Sequence, residues 1–125
     1  MNTVGYFEIH SAEPQREIAF YSAAFGWKFI REEFVPIEYY RIETDGMNGG
    51  LMKRQGPSPE LGSSVNGFIN SIQVENFDAA ASIILENGGK VALPKFAIPG
   101  RCYQGYFLDQ DHNIFGIFEV NEHAV

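Results

Sequence analysis

The sequence is poor in cysteine, in basic residues and in long apolar runs, and each shortage excludes a class of protein. The single cysteine, Cys102, excludes an internal disulfide framework and a zinc site built from several cysteines. Nine basic residues stand against 16 acidic ones, and they form no stripe that could neutralise nucleic-acid phosphates. No apolar stretch approaches the ~18 residues that cross a bilayer, and the N-terminus lacks a secretory pattern. We therefore expect a cytoplasmic protein that binds neither nucleic acid nor membranes.

Apolar residues are plentiful enough for a core that needs no covalent crosslinks. The chain has 125 residues, of which 45% are hydrophobic and 14% aromatic. A chain of this length fits one domain and buries about two-thirds of its extended surface on folding. We therefore expect a single domain over residues 1–125.

The first half of the chain has the pattern of a strand, a helix and three more strands. Residues 4–10 alternate between apolar and polar side chains, as a half-buried strand does. Glu13-Pro14 then opens a helix, because proline loses nothing at the first helical position, and Gly26 is a stop signal. Three short β segments are predicted at 27–32, 38–43 and 49–54.

The same order of elements returns after a segment rich in Pro, Gly and Ser. A linker is predicted at 55–66, between a first module at about 3–54 and a second at about 67–121. Subtracting 63 from residue numbers places the apolar stripe of the second helix on that of the first and Gly89 on Gly26. Asn76 is the expected N-cap of the second helix. Strands are predicted at 68–74, 90–93, 101–108 and 114–120.

This repetition predicts an α+β fold made of two tandem βαβββ modules. Each module alone has one helix and four strands, so one face of its sheet is bare. We expect curved mixed sheets that form a cleft, which is where a small ligand binds in such an arrangement.

Three stretches of the sequence resemble a known superfamily. The segment FEIHSAEPQREIAFYSAAFGWKF is similar to the strand and helix that open vicinal oxygen chelate domains. VENFDAAASIILENGGKV and YFLDQDHNIFGIFE resemble the second module of the same domains, over roughly residues 4–120 in all. The superfamily includes glyoxalase I, extradiol dioxygenases, fosfomycin-modifying enzymes and bleomycin-binding resistance proteins. The resemblance implies two βαβββ modules and raises the expectation of a homodimer.

The resemblance also implies positions for metal ligands, and this sequence departs from them. Active members hold a divalent metal with one ligand from the first strand and one carboxylate from the last strand of each module. The first-strand positions carry over to Tyr6 and Ile69. The carboxylate position of the second module carries over to Gly116, and that of the first to the acid-free segment 49–51. A lone phenol does not hold a divalent ion, so we expect no metal and no other cofactor.

The first strand supplies the other candidate residues. Tyr6, Glu8 and His10 share one face because side chains alternate along a strand, and Ser71 corresponds to Glu8 in the second module. Glu8 is a candidate general base, or it pairs with a nearby Arg or Tyr and shapes the pocket. We expect a small organic ligand to be bound by six residues: Tyr6, Glu8, His10, Ile69, Ser71 and Gly116. His112 lies in the turn before the last strand, where we expect its backbone to adopt the left-handed conformation that histidine tolerates.

Three hypotheses about function remain open at this point. The first is a small-molecule-binding protein without the usual metal, in which catalysis is undecided and no catalytic residue is assigned. The second is a metal-dependent lyase, isomerase or dioxygenase of glyoxalase type with Glu8, His10 and Glu119 as substitute ligands. The third is an interaction module whose own side chains fill the cleft.

Overall fold

A computed structural model describes residues 1–62 and 66–125 of the chain. It confirms the α+β class and the order of elements, with two helices and eight strands in the described part. The first module contains β1 (Thr3–Ser11), α1 (Pro14–Phe25), β2 (Lys28–Arg31), β3 (Tyr39–Glu43) and β4 (Gly49–Lys53). The second contains β5 (Ile69–Gln73), α2 (Phe77–Glu86), β6 (Lys90–Ile98), β7 (Cys102–Leu108) and β8 (Ile114–Val120).

Each module has the same mixed sheet topology. The strand order is β2-β3-β4-β1 in the first module and β5-β8-β7-β6 in the second. The first strand of each module pairs in parallel with its last, Glu8 opposite Gly50 and Ser71 opposite Gly116, while the other pairs are antiparallel. The helix of each βαβββ unit provides part of the long crossover that a parallel pair requires.

Local signals place both helix starts as predicted. Pro14 is the first residue of α1, and Gly26 closes that helix with φ of 71° and an N–H bond to the Ser22 carbonyl at 2.9 Å. A positive φ is nearly free of strain only for glycine, which explains the stop. At α2 the Asn76 side chain accepts a hydrogen bond from the Ala79 N–H at 2.8 Å, so Asn76 is the N-cap.

Strand β6 extends well past its predicted end at residue 93, since it runs to Ile98 and contains Pro94. The strand occupies the outer position in its module's order, and its register with β7 shifts between Leu93 and Phe96. Proline has no N–H to donate, and it is tolerated at edges and irregularities where no ladder bond is lost. The predicted end at residue 93 was therefore wrong, because the strand continues through Pro94.

Each module buries its own apolar cluster. In the first, four buried residues pack together with Ile18, Tyr21 and Trp27 around them: Ile9, Tyr40, Ile42 and Leu51. In the second, the cluster contains Val74, Phe77, Phe107 and Ile117. The chain divides into two compact units, one of residues 6–68 and one of residues 1–5 with 69–125.

The predicted linker at 55–66 contains no helix or strand among its described residues. Its residues 63–65 lie outside the described part of the chain. Neither helix, in the ranges 1–62 and 66–125, is long and apolar enough to cross a membrane.

Candidate functional site

Strand alternation separates the two faces of the first module's sheet. Phe7 and Ile9 point into the apolar cluster beside helix α1. Tyr6, Glu8 and His10 therefore share the opposite face, as predicted from the period of two. Paired residues project to the same side of a sheet, so Arg41 of β3, which pairs with Gly50, joins this face. The term polar face is used below for Tyr6, Glu8, His10, Glu32, Tyr39, Arg41, Glu43 and Gly50.

Gly50 is the gap in the middle of the polar face. The hydroxyls of Tyr6 and Tyr39 are hydrogen-bonded to each other. A Cβ atom added at Gly50 would collide with the Tyr39 hydroxyl and lie 2.6 Å from the Tyr6 hydroxyl. The missing side chain of Gly50 thus makes room for the tyrosine pair, within the segment 49–51 to which the resemblance carries a metal-binding carboxylate.

The Tyr6 phenol is held neutral by its surroundings. Burial raises its pKa to about 12, and the negative charges of Glu8 and Glu32 add to the rise. The hydrogen bond with Tyr39 and the charge of Arg41 act in the opposite direction and do not cancel the effect of burial. Tyr6 is therefore a hydrogen-bonding phenol at neutral pH and remains one well above pH 10.

Arg41 links two carboxylates across the polar face. Its Nη1 donates to Glu32 Oε1 at 2.7 Å, and its Nη2 donates to Glu43 Oε2 at 3.3 Å. Glu32 is buried, whereas Glu43 is more exposed. A buried carboxylate is tolerated when a charged donor contacts it. Arg41 is therefore the cation that allows several acidic side chains to share this face.

Glu8 and His10 form the second ionisable pair of the polar face. Glu8 Oε2 lies 2.7 Å from His10 Nε2, and Glu8 is only 4% exposed. The His10 side chain retains 23% exposure. A carboxylate at this distance orients an imidazole and leaves the other ring nitrogen, Nδ1, for a second partner. The pair therefore has the geometry of a positioned acid–base group.

The corresponding residues of the second module are packed differently. Ser71 is 1% exposed, and its Oγ accepts a hydrogen bond from Gln104 Nε2 at 3.2 Å. A Cβ added at Gly116 would collide with that Ser71 hydroxyl and lie 2.7 Å from Gln104 Nε2. Ile69 begins β5 and is half-buried. Ser71 and Gly116 thus lie together around Gln104, and Ser71 is already engaged by this partner.

The residues at the four implied metal positions do not form a donor set. Gly50, Ile69 and Gly116 offer no side-chain donor, which leaves the Tyr6 phenol as the single side-chain oxygen at these positions. Across residues 1–62 and 66–125, no three His, Cys, Asp or Glu side chains are grouped so as to hold an ion. Glu119 accepts the Phe77 N–H at 2.7 Å, which satisfies a donor at the start of α2.

The peripheral candidates serve local structure. His112 has φ of 63°, as expected for its turn, where its N–H bonds to the Asp109 carbonyl at 3.1 Å. Cys102 is half-buried, and burial raises the pKa of its thiol. A thiol with a raised pKa is a poor nucleophile at neutral pH.

Sequence reasoning missed Arg41, Glu32 and Gln104 as members of these networks. Tyr39, Arg41 and Glu43 do alternate along one strand, which was a usable signal that they share a face. The alternation did not reveal which face of the first strand they join, because that depends on pairing through β4.

A comparison with protein families identifies one match that covers most of the chain. Residues 3–117 match the Glyoxalase/Bleomycin resistance protein/Dioxygenase superfamily. No protein of curated function shows significant sequence similarity to the chain.

Solved structures share this fold at low sequence identity. A hypothetical protein of Bacillus halodurans C-125 matches with a TM-score of 0.71 and 14% identity, over 98% of this chain and 97% of that one. Methylmalonyl-CoA epimerase of Mycobacterium tuberculosis matches at 0.69 and 16%, over 95% and 88%. The Mn(II)-bound glyoxalase of Novosphingobium aromaticivorans matches at 0.67 and 16%, over 98% of this chain and 40% of its own. These TM-scores establish a common fold, and at sequence identities this low they establish the fold alone.

Proposed function

The chain belongs to the Glyoxalase/Bleomycin resistance protein/Dioxygenase superfamily, and from that premise we propose that it binds a small organic molecule through the polar face of its first module without a metal at the superfamily's usual positions. The observation that carries the proposal is the tyrosine pair above Gly50. Hydroxyl groups stand there in place of a carboxylate ligand. They can exchange hydrogen bonds with an organic molecule directly.

The charges of the polar face favour a particular class of ligand. Three carboxylates, those of Glu8, Glu32 and Glu43, accompany a single guanidinium on this face. The whole chain carries a net charge of −7. Such a surface attracts cations and presents hydrogen-bond acceptors. We therefore expect a ligand that carries an amine or several N–H or O–H donors.

Thermal unfolding of chelator-treated protein tests the proposal. The protein is melted alone, with excess Mn, Co, Ni or Zn, and with a panel of small amines and hydroxylated heterocycles. A ligand at ~100 times its dissociation constant stabilises the folded state by about 2.7 kcal/mol, which is a rise of several degrees at this size. We expect such a rise with a member of the organic panel and none with the four ions.

Matched variants assign the binding to the polar face. Tyr6→Phe and Glu8→Gln are expected to weaken the organic ligand, whereas Glu86→Gln, an exposed carboxylate on α2, leaves it unchanged. A rise with one of the ions that Glu8→Gln abolishes would refute the metal-free proposal. A metal-dependent lyase, isomerase or dioxygenase with non-standard ligands would then come first.

The Glu8–His10 pair favours a second candidate function, which is acid–base catalysis. Glu8 fixes the tautomer of His10, so that Nδ1 can take a proton from a substrate and return it. A structural neighbour is named a methylmalonyl-CoA epimerase, and this supplies a first probe. Incubation with methylmalonyl-CoA in D₂O, read by mass spectrometry, is expected to show deuterium uptake that His10→Gln abolishes. Absence of uptake above the rate without protein would refute this use of that substrate.

Two expectations from the sequence stay predictions, namely a homodimer and a cytoplasmic location. Light scattering coupled to size exclusion measures the mass in solution, where a dimer has twice the 14.0 kDa of one chain. Fractionation of the native cells tests the location.

A further inference from the structure

A separate cavity lies in the first module, where β1 and the segment after β4 border helix α1. Its volume is about 280 Å³. Six of the residues that line it are His10, Arg16, Tyr21, Arg54, Asn66 and Phe68. It shares only His10 with the polar face.

Arg54 is the unusual residue of this cavity. A guanidinium has five N–H donors. The Nη2 of Arg54 donates to the His10 carbonyl at 2.9 Å and to Asn66 Oδ1 at 3.4 Å. The Nε of Arg54 is buried and has no hydrogen-bond partner among the described residues. Buried donors are nearly always paired, so this guanidinium has capacity for another acceptor.

The other charges of the cavity neutralise each other. Arg16 pairs with Glu13 at 2.5 Å and with Glu17 at 2.8 Å. Burial alone would raise the pKa of Glu17, but hydrogen bonds from Arg16 and Ser11 and the positive charges of Arg16 and Arg54 lower it, so Glu17 stays ionised. In the described part of the chain, no carboxylate lies within ion-pairing distance of Arg54. Arg54 therefore acts on Glu17 through its charge without a direct ion pair, and its Nε remains available to a further acceptor.

Another part of the cavity wall is apolar, because aromatic rings line it. Tyr21 and Phe68 both line the cavity, and their rings meet edge to face with centroids 6.4 Å apart. Such rings accept apolar groups of a ligand. The cavity thus combines a cation with an apolar surface, which matches an amphiphilic anion.

We propose that this cavity is a binding site for a small organic carboxylate with an apolar body. The carboxylate contacts the Arg54 guanidinium, whose planar donors match two oxygens, and the apolar body lies against Tyr21 and Phe68. The site is distinct from the amine-accepting polar face proposed above. A phosphate monoester has the same oxyanion chemistry, and the experiment separates the two sources.

Fluorescence titration of the 125-residue chain tests the site. Trp27, the single tryptophan, stacks on Tyr21 with centroids 5.2 Å apart, so it reports on a ligand against that ring. The probes are cyclohexanecarboxylate, cyclohexanecarboxamide and cyclohexyl phosphate, with calorimetry as the second readout. We expect saturable binding of the carboxylate, and affinity at least tenfold lower for the neutral amide and for the phosphate.

Variants of Arg54 and its neighbour isolate the charge. Arg54→Gln is expected to weaken carboxylate binding at least tenfold, whereas Lys53→Gln, the same charge change at an exposed position, leaves it unchanged. Arg54→Lys retains the charge and loses the planar fork, so it should bind with intermediate affinity; this variant also covers the case in which Arg54→Gln does not fold. Tyr6→Phe is expected to bind the carboxylate normally, which separates this site from the polar face.

Four results would overturn the proposal. The first is equal affinity for the carboxylate and its amide, and the second is no saturable binding of the carboxylate. The third is unchanged affinity in both Arg54 variants. Tighter binding of the phosphate than of the carboxylate would refute the carboxylate as the ligand class and assign the site to phosphate esters.

Discussion

Replacing Gly50 by alanine is the most direct perturbation of the polar face, because it adds one methyl group where two hydroxyls meet. The added Cβ collides with the Tyr39 hydroxyl and lies 2.6 Å from that of Tyr6. Gly50 is buried in β4, between Glu8 on one side and Arg41 on the other. The tyrosines must therefore move or their hydrogen bond must break.

The expected magnitude follows from three terms. Overpacking a well-filled site costs about 1–3 kcal/mol. Loss of the Tyr6–Tyr39 hydrogen bond costs about 1 kcal/mol. Alanine recovers about 0.5–1 kcal/mol, since glycine loses more backbone entropy in a strand. We expect a net loss of about 1–3 kcal/mol, or a melting temperature lowered by about 3–12 °C.

Chemical denaturation and thermal melting measure this loss, with Gly46→Ala as the control. No atom lies within 4 Å of a Cβ built at Gly46. The control should therefore change the free energy of unfolding by less than about 0.5 kcal/mol. The double variant Gly50→Ala, Tyr39→Ala should be more stable than the sum of its single variants predicts, because one change removes the collision that the other creates. Wild-type stability in Gly50→Ala, or strict additivity in the double variant, would show that the tyrosines are not held above Gly50.

Three further predictions concern single residues. The pKa of Tyr6 is raised to about 12, above its value of 10.0 in an unfolded chain, so stability that is complete below pH 10 should fall as the pH rises toward 12; Tyr6→Phe should flatten that part of a denaturation–pH profile, and an unchanged slope would contradict the shift. The pKa of Glu119 is lowered by the Phe77 N–H and by Asn121, so its stabilising contribution is present above pH 4.5 and lost as the pH falls. Glu119→Gln should therefore melt closer to wild type at pH 3 than at pH 7. Asn76→Ala removes the cap bond to Ala79 and should cost about 1 kcal/mol in urea denaturation, against less than 0.5 kcal/mol for exposed Ser82→Ala; equal costs would mean that the cap is not formed.

Local signals explain why much of the fold was predictable. Pro14, Gly26 and Asn76 each act through the backbone within a few residues, so their effect can be inferred without knowing the rest of the structure. Alternation likewise placed Tyr6, Glu8 and His10 on one face of the first strand, and Phe7 and Ile9 of the other face lie in the apolar cluster. These inferences need only the geometry of one strand or one helix.

The hydrogen-bond networks of the polar face could not be predicted, because they depend on which strands pair and not on the sequence of any one strand. Arg41 and Tyr6 are far apart in the chain and meet because β3 and β1 both pair with β4. Pairing register is set by packing and turns together, and one sequence does not specify it. For the same reason the hydrogen bond between Ser71 and Gln104 was not predicted. Ser71 is on β5, which pairs with β8, and Gln104 is on β7, the other neighbour of β8.

The proline in strand β6 affects the tendency of the protein to aggregate at high concentration. The outer edge of a long strand presents unpaired N–H and C=O groups that can recruit another chain. Pro94 removes one donor midway along this nine-residue strand, and exposed Lys90 places a positive charge at its start. An incoming strand would lose a bond at Pro94 and would have to accommodate this charge. The sequence of β6 therefore disfavours the pairing of its edge with a strand of another chain, which is the first step of fibril-like assembly.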